Sequence, residues 1–176
     1  LVADGAQVVI CDIDQDNLRR VTSKHPEILV VAPDDIYDAA VDVYAPCAMG
    51  ATLNPDTIPR LKAGVVAGSA NNQLAVEDRD GAALAERGIV YTPDYVINAG
   101  GLMNVANELE GYNDTRAKQQ VSGIFDIIQD IFTIADEEGV LPFKAANTLA
   151  LRRIAGIANV KNHWCGVTPR RRGRRP

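Results

Sequence analysis

The stretch QVVICDIDQDNLRRVTSKHPEILVV (residues 7–31) contains, in order, an apolar β-branched run, an acid, a short helical pattern and a second apolar run. Gln7–Cys11 reads as a buried strand, and Gly5 just before it as the end of a helix. Leu18 and Val21, three residues apart, give Gln15–Ser23 one apolar face, and Pro26 stops that helix. Ile28–Val31 is the second strand, closed by Pro33. Strand, helix and strand at this spacing form a βαβ unit, which requires parallel pairing.

The same alternation continues downstream. Val41–Ala45 is a third strand, ended by Pro46, and Val65–Ala67 a fourth. A helical turn is expected at Pro55–Leu61, with Asn54 as N-cap and Pro55 at the first helical position. A helix over Asp78–Arg87 ends at Gly88, and Ile89–Tyr91 is a fifth strand ended by Pro93. After Asn98 the pattern becomes helical: a helix begins over Leu102–Leu109, a long one covers Thr115–Glu138, and another covers Pro142–Ala158. The reading is α/β: a Rossmann-like doubly wound parallel sheet, followed by long C-terminal helices. Residues 1–158 form that domain, and 159–176, with the run RRRGRR, a basic disordered tail.

Composition agrees with a globular domain. The 176 residues are 47% hydrophobic and 23% charged, mean hydropathy is −0.07, and no apolar run approaches the ~20 residues of a membrane span. The net charge of −5 conceals six basic residues and no acid after residue 159, so the body is strongly acidic. An acidic body argues against nucleic acid as a partner, and no membrane contact is expected. Cys11, Cys47 and Cys165 form no even framework and no CxxC pair, which points to a reducing, cytoplasmic setting and away from disulfides and zinc. His25 and His163 have no third ligand nearby, so no metal is expected.

Ligands of doubly wound sheets bind beyond the carboxyl ends of the strands. Asp12 follows the first strand directly, where an acid accepts hydrogen bonds from the adenine ribose hydroxyls of a dinucleotide. The plainer alternative is that Asp12 or Asp14 caps the following helix. Ser69–Leu74 (SANNQL) follows the fourth strand and sets two adjacent carboxamides at its end, each a donor and an acceptor; it could equally be an Asx turn. Pro46–Leu53 has small residues that let a flat ring approach the backbone, or is a tight turn with Cys47 as a small buried hydrophobe. Asn98–Glu108 puts Gly100 and Gly101 at a helix start, where N–H groups point outward. The glycine-rich phosphate turn of a dinucleotide fold is not in these residues. The chain opens on Leu1, and LVADG reads as the last turn of the helix that follows such a loop, so truncation at the N-terminus is expected.

Three segments, VYAPCAMGATLN (43–54), AGSANNQL (67–74) and GIVYTPDYVINAGGLMNVANEL (88–109), resemble in this order the cofactor-binding domain of the leucine/phenylalanine/valine dehydrogenases, relatives of glutamate dehydrogenase. The resemblance runs from Leu1 to about Ala158; the tail departs from it. It implies an NAD-dependent oxidative deamination, in which the α-carbon of an L-amino acid gives hydride to NAD and water attacks the resulting imine. The lysine and acid that assist come from an N-terminal domain with no counterpart here, so no residue of this chain is a catalytic candidate. The cofactor-binding residues implied are Asp12 and Ile13 at the adenine ribose, with Cys47, Ala48 and Asn71 at the nicotinamide ribose. Asn72 is placed near the substrate amino group, and Leu102 and Val105 on the wall of an apolar side-chain pocket. The substrate implied is a branched-chain or other apolar L-amino acid, and the assembly a homo-oligomer.

A non-catalytic nucleotide-binding or regulatory module is the competing reading, separable from the first by whether a GxGxxG turn and a lysine-bearing domain lie upstream of Leu1. A fragment without the first strand of the fold is expected to be only marginally stable, and inactive alone.

Overall fold

The computed structural model describes residues 1–109 and 111–162, the last four by backbone alone. The expected tail from residue 163 onward, including His163, lies outside the described residues. The alternating half of the chain runs β1 (Val9–Ile10), α1 (Gln15–Thr22), β2 (Leu29–Val30), β3 (Val43–Tyr44), β4 (Val65–Val66), α2 (Glu77–Glu86) and β5 (Val90–Tyr91). The helical half is α3 (Asp94–Ile97), α4 (Gly100–Glu108), α5 (Asp114–Ser122), α6 (Ile124–Glu138) and α7 (Pro142–Asn162).

All described strand pairs are parallel, but they form two sheets where one was expected. β1 pairs with β2, Val9 opposite Leu29, and β3-β4-β5 make the second sheet, Val43 opposite Val65 and Val65 opposite Val90. No backbone hydrogen bond among the described residues joins β1 to β3. The first sheet is also less covered than its apolar sequence suggests. Val9 and Ile10 are half-buried, and Leu29 and Val30 exposed.

The core sits against the second sheet. Tyr44, Leu53, Ile58, Leu61, Val66, Leu84 and Tyr91 form one buried cluster, and Ile131, Ile134, Ala135, Ala145 and Ala146 form another between α6 and α7. α7 is tied to α2 of the sheet half by Lys144, which pairs with Asp78 at 2.8 Å, and to α3 by the Tyr95 hydroxyl, which donates to the Phe143 carbonyl at 3.0 Å.

Local signals account for most boundaries. Gly5, Gly88 and Gly139 take the left-handed φ of helix exits, at 88°, 69° and 63°. Asn54 accepts from the N–H groups of Asp56 (2.9 Å) and Thr57 (3.2 Å), as expected of a cap, but the turn it starts is short and leads into a 3-10 helix at Ile58–Arg60. The expected helix over Thr115–Glu138 is interrupted at Gly123, and α7 runs past Ala158 to Asn162.

Candidate functional site

The residues after β3 and β4 are laced together by backbone hydrogen bonds. Ala70 N–H donates to the Pro46 carbonyl (2.9 Å), Ala51 N–H to Asn72 (2.7 Å), Leu53 N–H to Gln73 (3.0 Å) and Ala75 N–H to Leu53 (2.9 Å). The approach is close enough to require glycine at two points. A Cβ on Gly68 would lie 2.2 Å from the Pro46 oxygen, and one on Gly50 would lie 2.8 Å from the Asn71 oxygen. Ala51 and Asn72 both hold positive φ, 59° and 52°, which a β-carbon resists unless the surroundings impose it.

Beneath this surface lies a polar layer that sequence reasoning did not single out. Gln73 is fully buried; its amide group donates to the carbonyls of Gly68 (2.7 Å) and Ala70 (3.0 Å), while its Oε1 has no protein partner. Asp94, also buried, accepts from the Gln73 N–H (2.9 Å) on one carboxylate oxygen and from the Tyr95 N–H (2.6 Å) on the other. Asn98 donates through its Nδ2 to Asn71 Oδ1 at 2.5 Å. The available signal was their position: Gln73 ends the polar run after β4, and Asp94 follows the proline that stops β5. A cleft of about 370 Å³ opens beside Asn72, lined by Leu74, Glu77, Tyr91, Asp94 and Tyr95 among others. Burial first, then the nearby Asp94 and Asp78 charges, push the Glu77 carboxyl upward, and burial with Glu77 and Asp94 pushes the Tyr95 phenol up to about 12.

The structure brings Asn71, Asn72 and the Cys47–Ala48 loop onto one surface, all four side chains exposed. Cys47 is therefore not the buried hydrophobe of the plainer reading. Asp12 and Ile13 stand at the end of the other sheet, and Ile13 is 89% exposed. Of Asp12 and Asp14, the second is the helix cap. Asp14 is the N-cap of α1, accepting from Asp16 N–H at 2.8 Å. Asp12 accepts once on each oxygen, from Asp14 N–H (2.8 Å) and from Asn17 Nδ2 (3.2 Å). That aims the carboxylate and leaves lone pairs on both oxygens for ribose hydroxyls. Leu102 and Val105 lie three apart on α4 and are 75% and 58% exposed, so they are not core residues of the described chain.

These donor and acceptor sets suit a dinucleotide: an oriented acid for a diol at one sheet end, carboxamides and open backbone for a second ribose at the other. Among the described residues no group of three or more His, Cys, Asp or Glu could hold a metal ion, and no helix is long and apolar enough to cross a membrane.

Parallel βα units with a laced, carboxamide-rich surface after their strands define an α/β protein with polar groups gathered at its strand ends. Residues 6–161 match the family model described as glutamate/leucine/phenylalanine/valine dehydrogenase, and the chain belongs to that family of amino-acid dehydrogenases. It is 48% identical over 164 residues to the leucine dehydrogenase of Bacillus cereus, a match covering 93% of this chain and 44% of that one. Against the valine dehydrogenase of Streptomyces coelicolor it is 47% identical over 159 residues, 88% of this chain and 43% of the relative. The crystal structure of L-tryptophan dehydrogenase from Nostoc punctiforme superposes with a TM-score of 0.82 at 47% identity, covering 85% of this chain and 45% of that one. The hetero-hexameric glutamate dehydrogenase of Thermus thermophilus, at 18% identity and a TM-score of 0.65 over 94% of this chain and 49% of that one, shares the fold. The chain thus spans less than half the length of the curated relatives it matches.

Proposed function

We propose that this chain is the cofactor-binding part of an NAD-dependent dehydrogenase that oxidatively deaminates a branched-chain or other apolar L-amino acid to its 2-oxo acid and ammonia. The observation that carries this is the Asp12 carboxylate, which leaves the N-cap of α1 to Asp14, is oriented by the Asp14 N–H and the Asn17 amide, and keeps acceptor capacity at a strand's carboxyl end. Strand order supports it. The two parallel runs, β1-β2 and β3-β4-β5, are each compatible with a part of the doubly wound order 3-2-1-4-5-6, the first with its strands 2 and 3 and the second with its strands 4, 5 and 6. The sheet is completed, on this reading, by a strand and glycine-rich turn from outside these residues.

Asp12 accepts from the adenine ribose hydroxyls beside exposed Ile13. Asn71 and the backbone of Cys47 and Ala48 hold the second ribose, and Asn72 faces the substrate amino group. NAD, when bound, supplies the hydride acceptor. Leu102 and Val105 offer the substrate side chain an aliphatic wall, and the segment 98–107 contains no charged residue to pair with a second carboxylate, which disfavours glutamate. Proton transfer requires a base within hydrogen-bond reach. The lysine the family resemblance implies has no counterpart here, so the chain alone binds weakly and does not turn over. The active form is a cytoplasmic homo-oligomer.

Two measurements test this. Titration of the chain with NAD, followed by amide chemical shifts, should perturb residues around Asp12 and around Asn71. Joining residues 1–158 to the unmatched part of the Bacillus cereus leucine dehydrogenase should give leucine-dependent NADH formation. No perturbation at Asp12, together with an inactive but folded chimera, overturns the proposal.

A further inference from the structure

Asn71 and Asn98 come from loops that follow different strands, yet their side chains meet at 2.5 Å. The bonds that set this separation converge on one residue. One carboxylate oxygen of Asp94 accepts from the Gln73 N–H at 2.9 Å, and its backbone carbonyl accepts from the Asn98 N–H at 2.9 Å. Its other carboxylate oxygen takes the Tyr95 N–H at 2.6 Å, which fixes the side chain over the first turn of α3. The bonds close a ring: Asp94 to Gln73, along the chain through Asn72 to Asn71, across to Asn98, and back to Asp94. Asn72 lies inside this ring with φ at 52°, and its carbonyl is held from the far side by Ala51 N–H at 2.7 Å. Asp94 and Gln73 are buried while Asn71 and Asn72 are exposed, so the ring has a structural floor and a ligand-facing rim.

We propose that Asp94 is a positioning residue for the nicotinamide end of the cofactor: its carboxylate ties the Gln73 N–H, and with it the loop that carries Asn71 and Asn72, to the helix turn that presents Asn98. This rests on the cofactor reading above. Asp94 touches no ligand itself. Without its charge the loop after β4 loses the tie to α3, and the unfavourable φ of Asn72 relaxes toward ordinary values.

The test uses two halves of the cofactor as probes, AMP and nicotinamide mononucleotide, each titrated into the full chain and followed by NMR. Asp94→Asn keeps the shape but leaves one oxygen to serve two N–H groups, so one tie breaks. The expected result is nicotinamide mononucleotide binding weakened about tenfold, the scale of one charge-assisted hydrogen bond. AMP binding should stay unchanged, and the side-chain amide signals of Asn71 and Asn98 should shift or broaden in the free variant. A uniform loss of affinity for both probes, or no loss for either, overturns the positioning role. If the wild-type chain binds AMP but not the mononucleotide, the positioning proposal fails alone; if it binds neither, the cofactor reading fails too. Should the variant not fold, amide hydrogen exchange in the wild-type chain decides. Gln73 N–H must exchange far more slowly than Asn71 N–H, and slower still with the mononucleotide bound; equal rates overturn the proposal.

Discussion

Gly68→Ala probes the packing that builds the site. Gly68 follows β4, and a Cβ there would stand 2.2 Å from the Pro46 carbonyl oxygen, 2.5 Å from the Pro46 nitrogen and 2.6 Å from its Cδ. Those atoms belong to backbone and a closed ring, so none can swing away. Restoring an ordinary separation requires the chain after β3 and the chain after β4 to part by roughly 1 Å. Two hydrogen bonds bridge that seam, Ala67 N–H to Tyr44 O at 3.0 Å and Ala70 N–H to Pro46 O at 2.9 Å, and both are stretched past usefulness. Overpacking costs about 1–3 kcal/mol and each lost bond about 1 kcal/mol. The expected destabilisation is therefore about 4 kcal/mol, or a fall in melting temperature of roughly 10 °C for a chain of this size. Thermal unfolding by circular dichroism measures it. Gly101→Ala is the control. Nothing lies within 4 Å of a Cβ there, and the residue sits inside α4. That change should be neutral or raise stability by about 0.5–1 kcal/mol. A Gly68→Ala chain that melts with the wild type would refute the packing argument.

Further outcomes follow from the same contacts. Asp12→Ser in the chimeric enzyme should relax its preference for NAD over NADP, because CDIDQDN holds three acids and no base to meet a 2′-phosphate; each ~1.4 kcal/mol of repulsion removed is about tenfold. Asp14→Ala should instead cost about 1 kcal/mol of stability, as a lost helix cap, and leave that preference alone. Leu102→Ala should raise the ratio of catalytic efficiencies for phenylalanine over leucine, by up to about 10–200-fold for the room released; an unchanged ratio removes Leu102 from the pocket. Hydrogen bonds from Arg60 hold the Asp38 carboxyl below the usual carboxylate range. A lowered folded-state pKa stabilises fully above the unfolded value near ~3.9 and is lost as pH falls through the folded value. Arg60→Ala should accordingly flatten the pH dependence of unfolding below about pH 4, which acid titration of the melting temperature checks.

The order of strands and helices was legible because prolines and glycines punctuate it. Gly88 and Gly139 end helices at φ values that glycine reaches at little cost. Gly123 shows where that signal fails. It keeps a right-handed φ of −68°, and the apolar spacing of Val121, Ile124 and Phe125 passes straight across it, so the break between α5 and α6 leaves no mark in the hydrophobic period. α3 was missed because four residues after a proline cannot show a period. α7 spans the expected Pro142–Ala158 stretch, yet Leu151, Ile154 and Ile157 along it are all more than 60% exposed. A hydrophobic stripe records that a face is to be covered; it does not say by what.

The site was legible at a different level, residue type without division of labour. CDID offers two acids, of which one caps the helix and the other does not, and composition treats them alike. Only the backbone conformation after β1 assigns the cap to Asp14 and leaves Asp12 half-buried with spare acceptor sites. The run NNQ is divided in the same way. Its third residue enters the core because the backbone there extends the parallel bridge between Leu53 and Leu74, and burial then obliges Gln73 to satisfy its amide on Gly68 and Ala70. With that structural duty met by Gln73 and Asp94, the two asparagines before them are released to the surface. A carboxamide bound to backbone on every side cannot recognise a ligand, so the buried pair is what makes the exposed pair available. Such a pairing, one polar residue buried in the fold beside one kept at the surface, is invisible to a reading of residue types. It becomes visible once the hydrogen bonds of each are counted.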